Sequence, residues 1–400
     1  MRDPRVLVFT TLFPSQGQPT AGLFIRERMF RVAAQLPLAV VAPVPWFPFQ
    51  GLVRRWRPHF RPPTPRFERQ AGIPVYHPRF FSVPGLFKYL DGLFIALSCF
   101  LTIKRVQRDF QFNLIDAHFA YPDGYAATLL GRWLGLPVTI TLRGTEQRLS
   151  LVPACRKRMI EALQRARRIF AVSESLKEIA IGLGIEADKI KVVGNGVDGA
   201  KFHPVDRRLS RSRYRIPDRA KVLVSVGGLV PRKGFHRVLE VLPQLSVEFP
   251  DLYYLIVGGG SPEGDNSVEL KQQVSRLGLE KQVMFLGQIS PDELKHPLSA
   301  ADVFVLATAN EGWANVFLEA MACGLPVVTT DVGGNREVIS DSTLGKIVPF
   351  GDAGALRESL SRALRRDWDR QAIIRYAARN SWDQRVAVLV GEFTRLVDKS

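Results

Sequence analysis

The chain has 400 residues, too many for one ordinary domain and right for two at roughly 100–200 residues each. Its 46% hydrophobic, 10% aromatic and 23% charged residues lie close to the globular average, which excludes disordered, collagen-like and low-complexity classes. The net charge of +17 is lopsided: residues 1–205 carry 29 basic and 14 acidic side chains, whereas residues 206–400 carry 26 and 24. A basic field on one half attracts anionic lipid headgroups, nucleic acid or phosphorylated substrates, and says nothing of fold.

In chain order, the apolar run Val6–Phe9 after Arg5 is short and is followed by Pro14 without a cleavage site, so a first β-strand is expected and not a secretory leader. Further β-rich runs at Leu38–Ala42, Leu114–Ala117, Val138–Thr141, Ile169–Val172 and Ile190–Val193 alternate with helix-length segments, the pattern of a parallel sheet covered by helices. The stretch Pro43–Pro84 breaks the rhythm with ten prolines, seven arginines and nine aromatics. It reads as an extended, partly exposed loop, with an interfacial patch for lipid phosphates as the sharper alternative. Leu93 to Ile103 is far short of the ~20 apolar residues that cross a bilayer. Cys155–Phe170 has helical period, with Met159, Ile160, Leu163, Ala166 and Phe170 on one face and basic residues beside it, and reads as a core-facing helix with a solvated basic side, a membrane helix being the alternative. Asp198–Arg219 has linker composition, and the strand rhythm restarts at Val222–Val226, Tyr253–Val257, Val283–Leu286, Val303–Leu306, Val327–Thr329 and Lys346–Val348. Cys99, Cys155 and Cys323 have no metal-ligand spacing and read as reduced thiols of a cytosolic protein.

The stretch from Thr308 to Thr330 follows a strand and runs through a loop into a helix stopped by Gly324 and Pro326. Asn315 is expected to cap that helix, leaving N–H groups near Val316 and Phe317 for a nucleotide diphosphate. Glu311 before the helix and Glu319 within it can face one crevice, and a carboxylate fork suits a vicinal diol of ribose or hexose. Gly258-Gly259-Gly260 lacks the rest of a dinucleotide fingerprint, because Glu263 stands at the third glycine.

These residues resemble the family 4 glycosyltransferases, retaining enzymes of the GT-B class that use nucleotide-sugars. The resemblance implies an α/β fold of two Rossmann-like domains facing across a cleft: 1–203 binding acceptor, 204–380 binding nucleotide-sugar, and 381–400 a helix crossing back to the first. It implies that Glu319 holds the ribose, Glu311 contacts the donor hexose, and the backbone of Gly312 to Val316, Asn315 included, lines sugar and phosphate. Val226 to Gly234 resembles the family's phosphate-clamp loop, which makes Lys233 a catalytic cation. Gly228 stands where the clamp arginine is usual, and neighbouring Arg232 is its expected substitute. Thr20 to Phe24 resembles the flexible glycine loop, with Gly22 approaching phosphate or sugar. Asp116-Ala117-His118 resembles the segment whose histidine meets the transferred sugar, and Arg143, on the acceptor side, replaces a histidine of the family's strand end.

A retaining hexosyl transfer follows, by same-face attack with the leaving phosphate accepting the acceptor's proton, without metal or other cofactor. The expected partners are a nucleotide-sugar, a glycan acceptor on a lipid diphosphate and an anionic membrane surface, not nucleic acid. The protein is expected in the cytoplasm, peripheral at the inner face of the cell membrane, in cell-surface polysaccharide biosynthesis. The alternatives are a non-catalytic binder of anionic lipid or nucleic acid on the same scaffold, and a sugar-nucleotide epimerase.

Overall fold

A computed structural model describes residues 3–19, 21–56, 60–261 and 263–398. The chain divides into two units, 1–195 with 383–400, and 196–382. The division falls ahead of the Asp198–Arg219 stretch and not at residues 203 and 204. Val197 already belongs to the second unit, donating to the Asn380 carbonyl at 3.0 Å and accepting from the Trp382 N–H at 3.3 Å.

Unit 1 is built on β1 (Val6–Phe9), β2 (Leu38–Val41), β3 (Val44–Trp46), β4 (Phe67–Gln70), β5 (Ile73–Tyr76), β6 (Arg79–Phe81), β7 (Leu114–His118), β8 (Val138–Leu142), β9 (Arg168–Ala171) and β10 (Ile190–Val192). Among the described residues the main sheet runs β10-β9-β8-β7-β1-β2-β5-β4, parallel except for the β4–β5 pair. β1, β2, β7 and β8 are buried at every position, which is why they read as continuous apolar runs without alternation. The chain starts at the centre, places β2 on one side and returns to place β7 on the other, so the strand order reverses between β1 and β7. Val386, Leu389 and Phe393 of the helix Trp382–Asp398 join this unit's core, and Glu392 pairs with Lys191 at 2.8 Å.

The Pro-rich stretch is not one loop. It forms the helix Gln50–Trp56, the β4–β5 hairpin, which extends the main sheet, and a β3–β6 ribbon. Val75 is fully buried, and Pro74 stands opposite Arg69 of the outermost strand, at the sheet margin where prolines are tolerated. The expected helix over 155–170 spans Pro153–Arg165, and Phe170 belongs to β9.

Unit 2 holds β11 (Lys221–Val226), β12 (Leu252–Val257), β13 (Val283–Gly287), β14 (Val303–Leu306), β15 (Val327–Thr330) and β16 (Gly345–Val348) in the parallel order β13-β12-β11-β14-β15-β16. Its strand order reverses between β11 and β14. In open parallel sheets, ligands bind outside the carboxyl ends of the strands at such a switch point.

Candidate functional site

Two loops leave the carboxyl ends of β11 and β14. The first begins with Gly227-Gly228 and tightens at Pro231–Lys233 before the helix Phe235–Glu248. Gly234 has φ +76°, and a Cβ there would lie 1.8 Å from the Ala307 carbonyl oxygen, so glycine is what lets this loop close on the end of β14. The contact is sealed by the Ala309 N–H donating to the Arg232 carbonyl at 2.8 Å.

Glu311 is the meeting point. Its Oε1 accepts from Lys233 Nζ at 2.6 Å, from Thr308 Oγ1 at 3.1 Å and from Arg232 Nη1 at 3.5 Å. Arg232 also donates to the Asn310 carbonyl at 2.9 Å and forks onto Glu263 at 3.0 and 2.8 Å. Glu311 is 8% exposed, whereas the Lys233 and Arg232 side chains keep 16% and 33%. Two cations therefore gather on Glu311, with Glu263 pairing Arg232 from the more exposed side, and both cations remain partly open to solvent, where an anionic ligand can reach them.

The helix Asn315–Ala322 begins beside this cluster. Asn315 is its first helical residue, not its cap. Ala314 takes the extended cap position, at φ −86° and ψ 92°, and has no side-chain oxygen with which to cap the first turn. The Phe317 N–H is taken by the Ala314 carbonyl at 3.1 Å, so it does not belong to the expected anion site. The rest of the helix end keeps its partial positive charge. Glu319, Gly312 and Val316 are half-buried. The Trp313 indole N–H is buried without a hydrogen-bond partner among the described residues. Gly228 is half-buried in the first loop, where a Cβ would stand 3.1 Å from that of Ser261.

In unit 1 the expected residues lie at the corresponding strand ends. His118 closes β7, fully buried; Arg143 follows β8 and donates from Nε to His118 Nδ1 at 3.0 Å. The ring proton therefore sits on Nε2, which lies 3.5 Å from Asp116 Oδ2 without a formed hydrogen bond. Burial first, then the charges of Arg143 and Arg28, hold His118 well below its ordinary value, so the ring is neutral. The Arg143 guanidinium also lies 5.1 Å from the Phe24 ring centre and donates to Asn195 Oδ1 at 3.4 Å. Gly22, at φ +66°, precedes the helix Leu23–Ala33, and a Cβ there would stand 2.3 Å from the Leu12 carbonyl oxygen. Thr20 of the same motif lies outside the described residues.

Sequence reasoning passed over much of this second cluster. Arg28 is fully buried, donating to the Gly194 and Val193 carbonyls, and burial brings it down to about 10. Asp116 accepts from Thr139 Oγ1 at 2.7 Å and is pushed up by burial to about 6. Asp123 accepts from the Thr11 N–H at 2.8 Å and is pushed up, again by burial, to about 7. Glu146 accepts from the Gly144 N–H at 2.7 Å and the Arg143 N–H at 3.2 Å, which fixes the turn that aims Arg143. The Glu146 pairing was within reach, three residues from Arg143; the others join residues up to 166 positions apart.

Comparison with known proteins bears on the family and the fold. Residues 39–201 match the family model described as Glycosyltransferase Family 4, and residues 206–380 match Glycosyl transferases group 1. The chain is 29% identical to TuaC of Bacillus subtilis, a glycosyltransferase named for teichuronic acid biosynthesis, over 90% of this chain and 88% of that one. It is 29% identical to a D-inositol 3-phosphate glycosyltransferase of Corynebacterium urealyticum, over 71% and 72% of the two chains. In fold it resembles the sucrose-phosphate synthase of Thermosynechococcus elongatus, with TM-score 0.76, 19% identity and full coverage of both chains. It also resembles Anabaena HepE, solved with UDP, with TM-score 0.72, 21% identity and coverage of 99% and 100%. The strand-end loops, the two switch points and both family matches lead to one conclusion: the chain belongs to the family 4 glycosyltransferases, has the GT-B fold and is a glycosyltransferase.

Proposed function

We propose that the protein moves a hexose from a nucleotide-sugar to a glycan acceptor carried on a lipid diphosphate, with retention at the anomeric carbon, in cell-surface polysaccharide biosynthesis. The observation that carries this reading is the gathering of Lys233 and Arg232 on Glu311, at 2.6 and 3.5 Å, at the switch point of unit 2. A donor diphosphate lying there meets two cations already brought together by a carboxylate, together with the N-terminal end of the helix Asn315–Ala322.

Lys233 and Arg232 balance the charge that builds on the departing nucleotide diphosphate, an interaction that strengthens towards the transition state. Lys233, Glu311 and His118 form the catalytic set. Glu311 takes hydroxyls of the hexose, Glu319 takes the ribose diol, and the backbone of Gly228 and of Gly312 to Val316, with Asn315, lines sugar and phosphate. In unit 1, the transferred hexose is assigned to His118 on the family resemblance, its neutral ring being fully buried behind Arg143, while Gly22 provides close backbone approach and Arg143 serves the acceptor side. The leaving phosphate oxygen accepts the acceptor's proton, so attack proceeds on the face the nucleotide leaves. This route draws on no metal or organic cofactor. TuaC, named for teichuronic acid biosynthesis and matched along most of both chains, supports the polysaccharide reading. The charge excess of residues 1–205 supports an acceptor held at an anionic membrane, with the protein peripheral at its cytoplasmic face.

A thermal-shift panel of UDP-, GDP- and ADP-sugars tests the donor, since a donor at 100 times its Kd adds ~2.7 kcal/mol to stability. The stabilising donor is then given with a lipid-diphosphate acceptor. Labelled sugar on the lipid is expected. Label appearing only in a free nucleotide derivative would make the protein an epimerase, and binding without turnover would make it a non-catalytic binder.

A further inference from the structure

Phe49, Trp56, Leu86, Phe87 and Leu151 of unit 1 are more than half exposed, and exposed cations stand close to them in the chain. We propose that the helix Gln50–Trp56, the segment 84–89 and the turn before the helix Pro153–Arg165 form one docking surface for an anionic lipid bilayer. The inference deepens the lipid-linked reading above and rests on it for its purpose.

The helix Gln50–Trp56 has seven residues and buries none of them. Isolated helices shorter than about 12 residues are marginal in water and need tertiary packing of an apolar face, and this one presents its apolar face to solvent. Phe49 just before it is 83% exposed and Trp56 at its end is 88% exposed. The helix is nonetheless tied to the body. Arg54 donates to the Arg61 carbonyl at 2.8 Å, and Arg61 donates to the Ser82 carbonyl at 2.7 Å while its guanidinium covers the Phe47 and Phe60 rings.

From Ser82 the same surface continues. Lys88 Nζ lies 2.9 Å from Ser82 Oγ and 3.0 Å from Asp91, which fixes the segment that holds Leu86 and Phe87 outward, 56% and 59% exposed. The turn Lys88–Leu90 packs against the helix Pro153–Arg165, and Leu151, two residues ahead of that helix, is 80% exposed. Arg156 and Lys157, both exposed, line a hollow of about 550 Å³ beside Leu151.

Charge selects the occupant. Exposed Arg55, Lys88, Arg156 and Lys157 accompany these apolar groups within the half that carries the charge excess, and phosphate headgroups complement both features at once. A second copy would satisfy the apolar groups but set like charges face to face across a two-fold axis. Nucleic acid would satisfy the cations and leave the leucines in water. No described helix is long and apolar enough to cross a membrane, so the mode of binding is lying on the surface.

The test is sedimentation of the full chain with phosphatidylcholine vesicles, with and without phosphatidylglycerol. Salt-sensitive binding to the anionic vesicles is expected. The triple variant Phe49→Ser, Trp56→Ser, Leu151→Ser should lower partitioning about tenfold or more, and Arg55→Ser with Lys157→Ser by about fivefold for each cation. Melting temperature and donor binding should not change in either variant. Wild-type partitioning by the triple variant, or equal binding to neutral vesicles, overturns the proposal. So does a vesicle-independent dimer or a nucleic-acid complex that the triple variant abolishes. Sugar transfer to a water-soluble acceptor separates the two claims: transfer without vesicle binding defeats only the docking surface, and vesicle binding without transfer defeats only the proposed reaction.

Discussion

The two units share a doubly wound parallel architecture and treat the same place in it in opposite ways. At the strand ends of unit 2, Glu311 collects Lys233 and Arg232, and both cations stay partly exposed. At the strand ends of unit 1, His118, Asp116, Asp123 and Arg28 are sealed under the fold, and burial moves every one of them from its ordinary value. The outer surfaces differ in the reverse sense. Exposed aromatics in unit 1 include Phe49, Trp56, Phe81, Phe87 and Trp133, against Phe350 in unit 2. One unit keeps its charge ready for a small anion; the other locks its charge into shape and turns apolar surface outward.

The comparison breaks most sharply at Lys233. Lys233→Ala is expected to cut turnover by about 10²–10³-fold with a smaller change in nucleotide affinity, read from steady-state kinetics against a binding isotherm. Glu319→Ala should do the converse, weakening nucleotide binding about tenfold with a lesser effect on turnover at saturating donor, measured by calorimetry. Wild-type behaviour in both variants would remove the donor site from unit 2.

Asp123 sharpens the other side. Its folded value of about 7 stands above the ordinary 3.8, so between these values the folded chain holds a proton that the unfolded chain has lost. Its contribution to stability is present at low pH and is lost as pH rises towards about 7. Asp123→Asn, neutral throughout and still able to accept from Thr11, should therefore show a shallower fall in melting temperature between about pH 4 and pH 7 than the wild type. An unchanged slope would mean that Asp123 is not the titrating group. The smallest effect is expected at Glu263, 56% exposed in its pair with Arg232: Glu263→Gln should shift stability by no more than about 0.5 kcal/mol in thermal denaturation. A large loss there would mean that Arg232 depends on Glu263 for its position.

Much of this was legible in the chain. Each expected strand from Val6–Phe9 to Lys346–Val348 forms within two residues of its bounds, because strands buried on both faces must be continuously apolar and their helices periodic. The loop carrying Glu311 was legible too, since strand, loop, helix and Gly-Pro stop are local signals. Asn315 was not: its preference for capping was outweighed by the backbone that places Ala314 ahead of the first turn. The Pro43–Pro84 stretch hid a hairpin, a ribbon and a helix, because β5 gains its strand character from pairing with β2, more than thirty positions away.

The sequence by itself determined the parallel, helix-covered class of each unit, the order of its continuously apolar strands and the residues of the unit 2 loops, since all of these are written in spacings of a few residues. Only the tertiary structure decided that Lys233 and Arg232 share Glu311, that Arg143 fixes the ring proton of His118, and that a helix after Phe49 buries nothing. Those are matters of contact and burial between distant segments, and burial sets the charge of a titratable group and the exposure of an aromatic one.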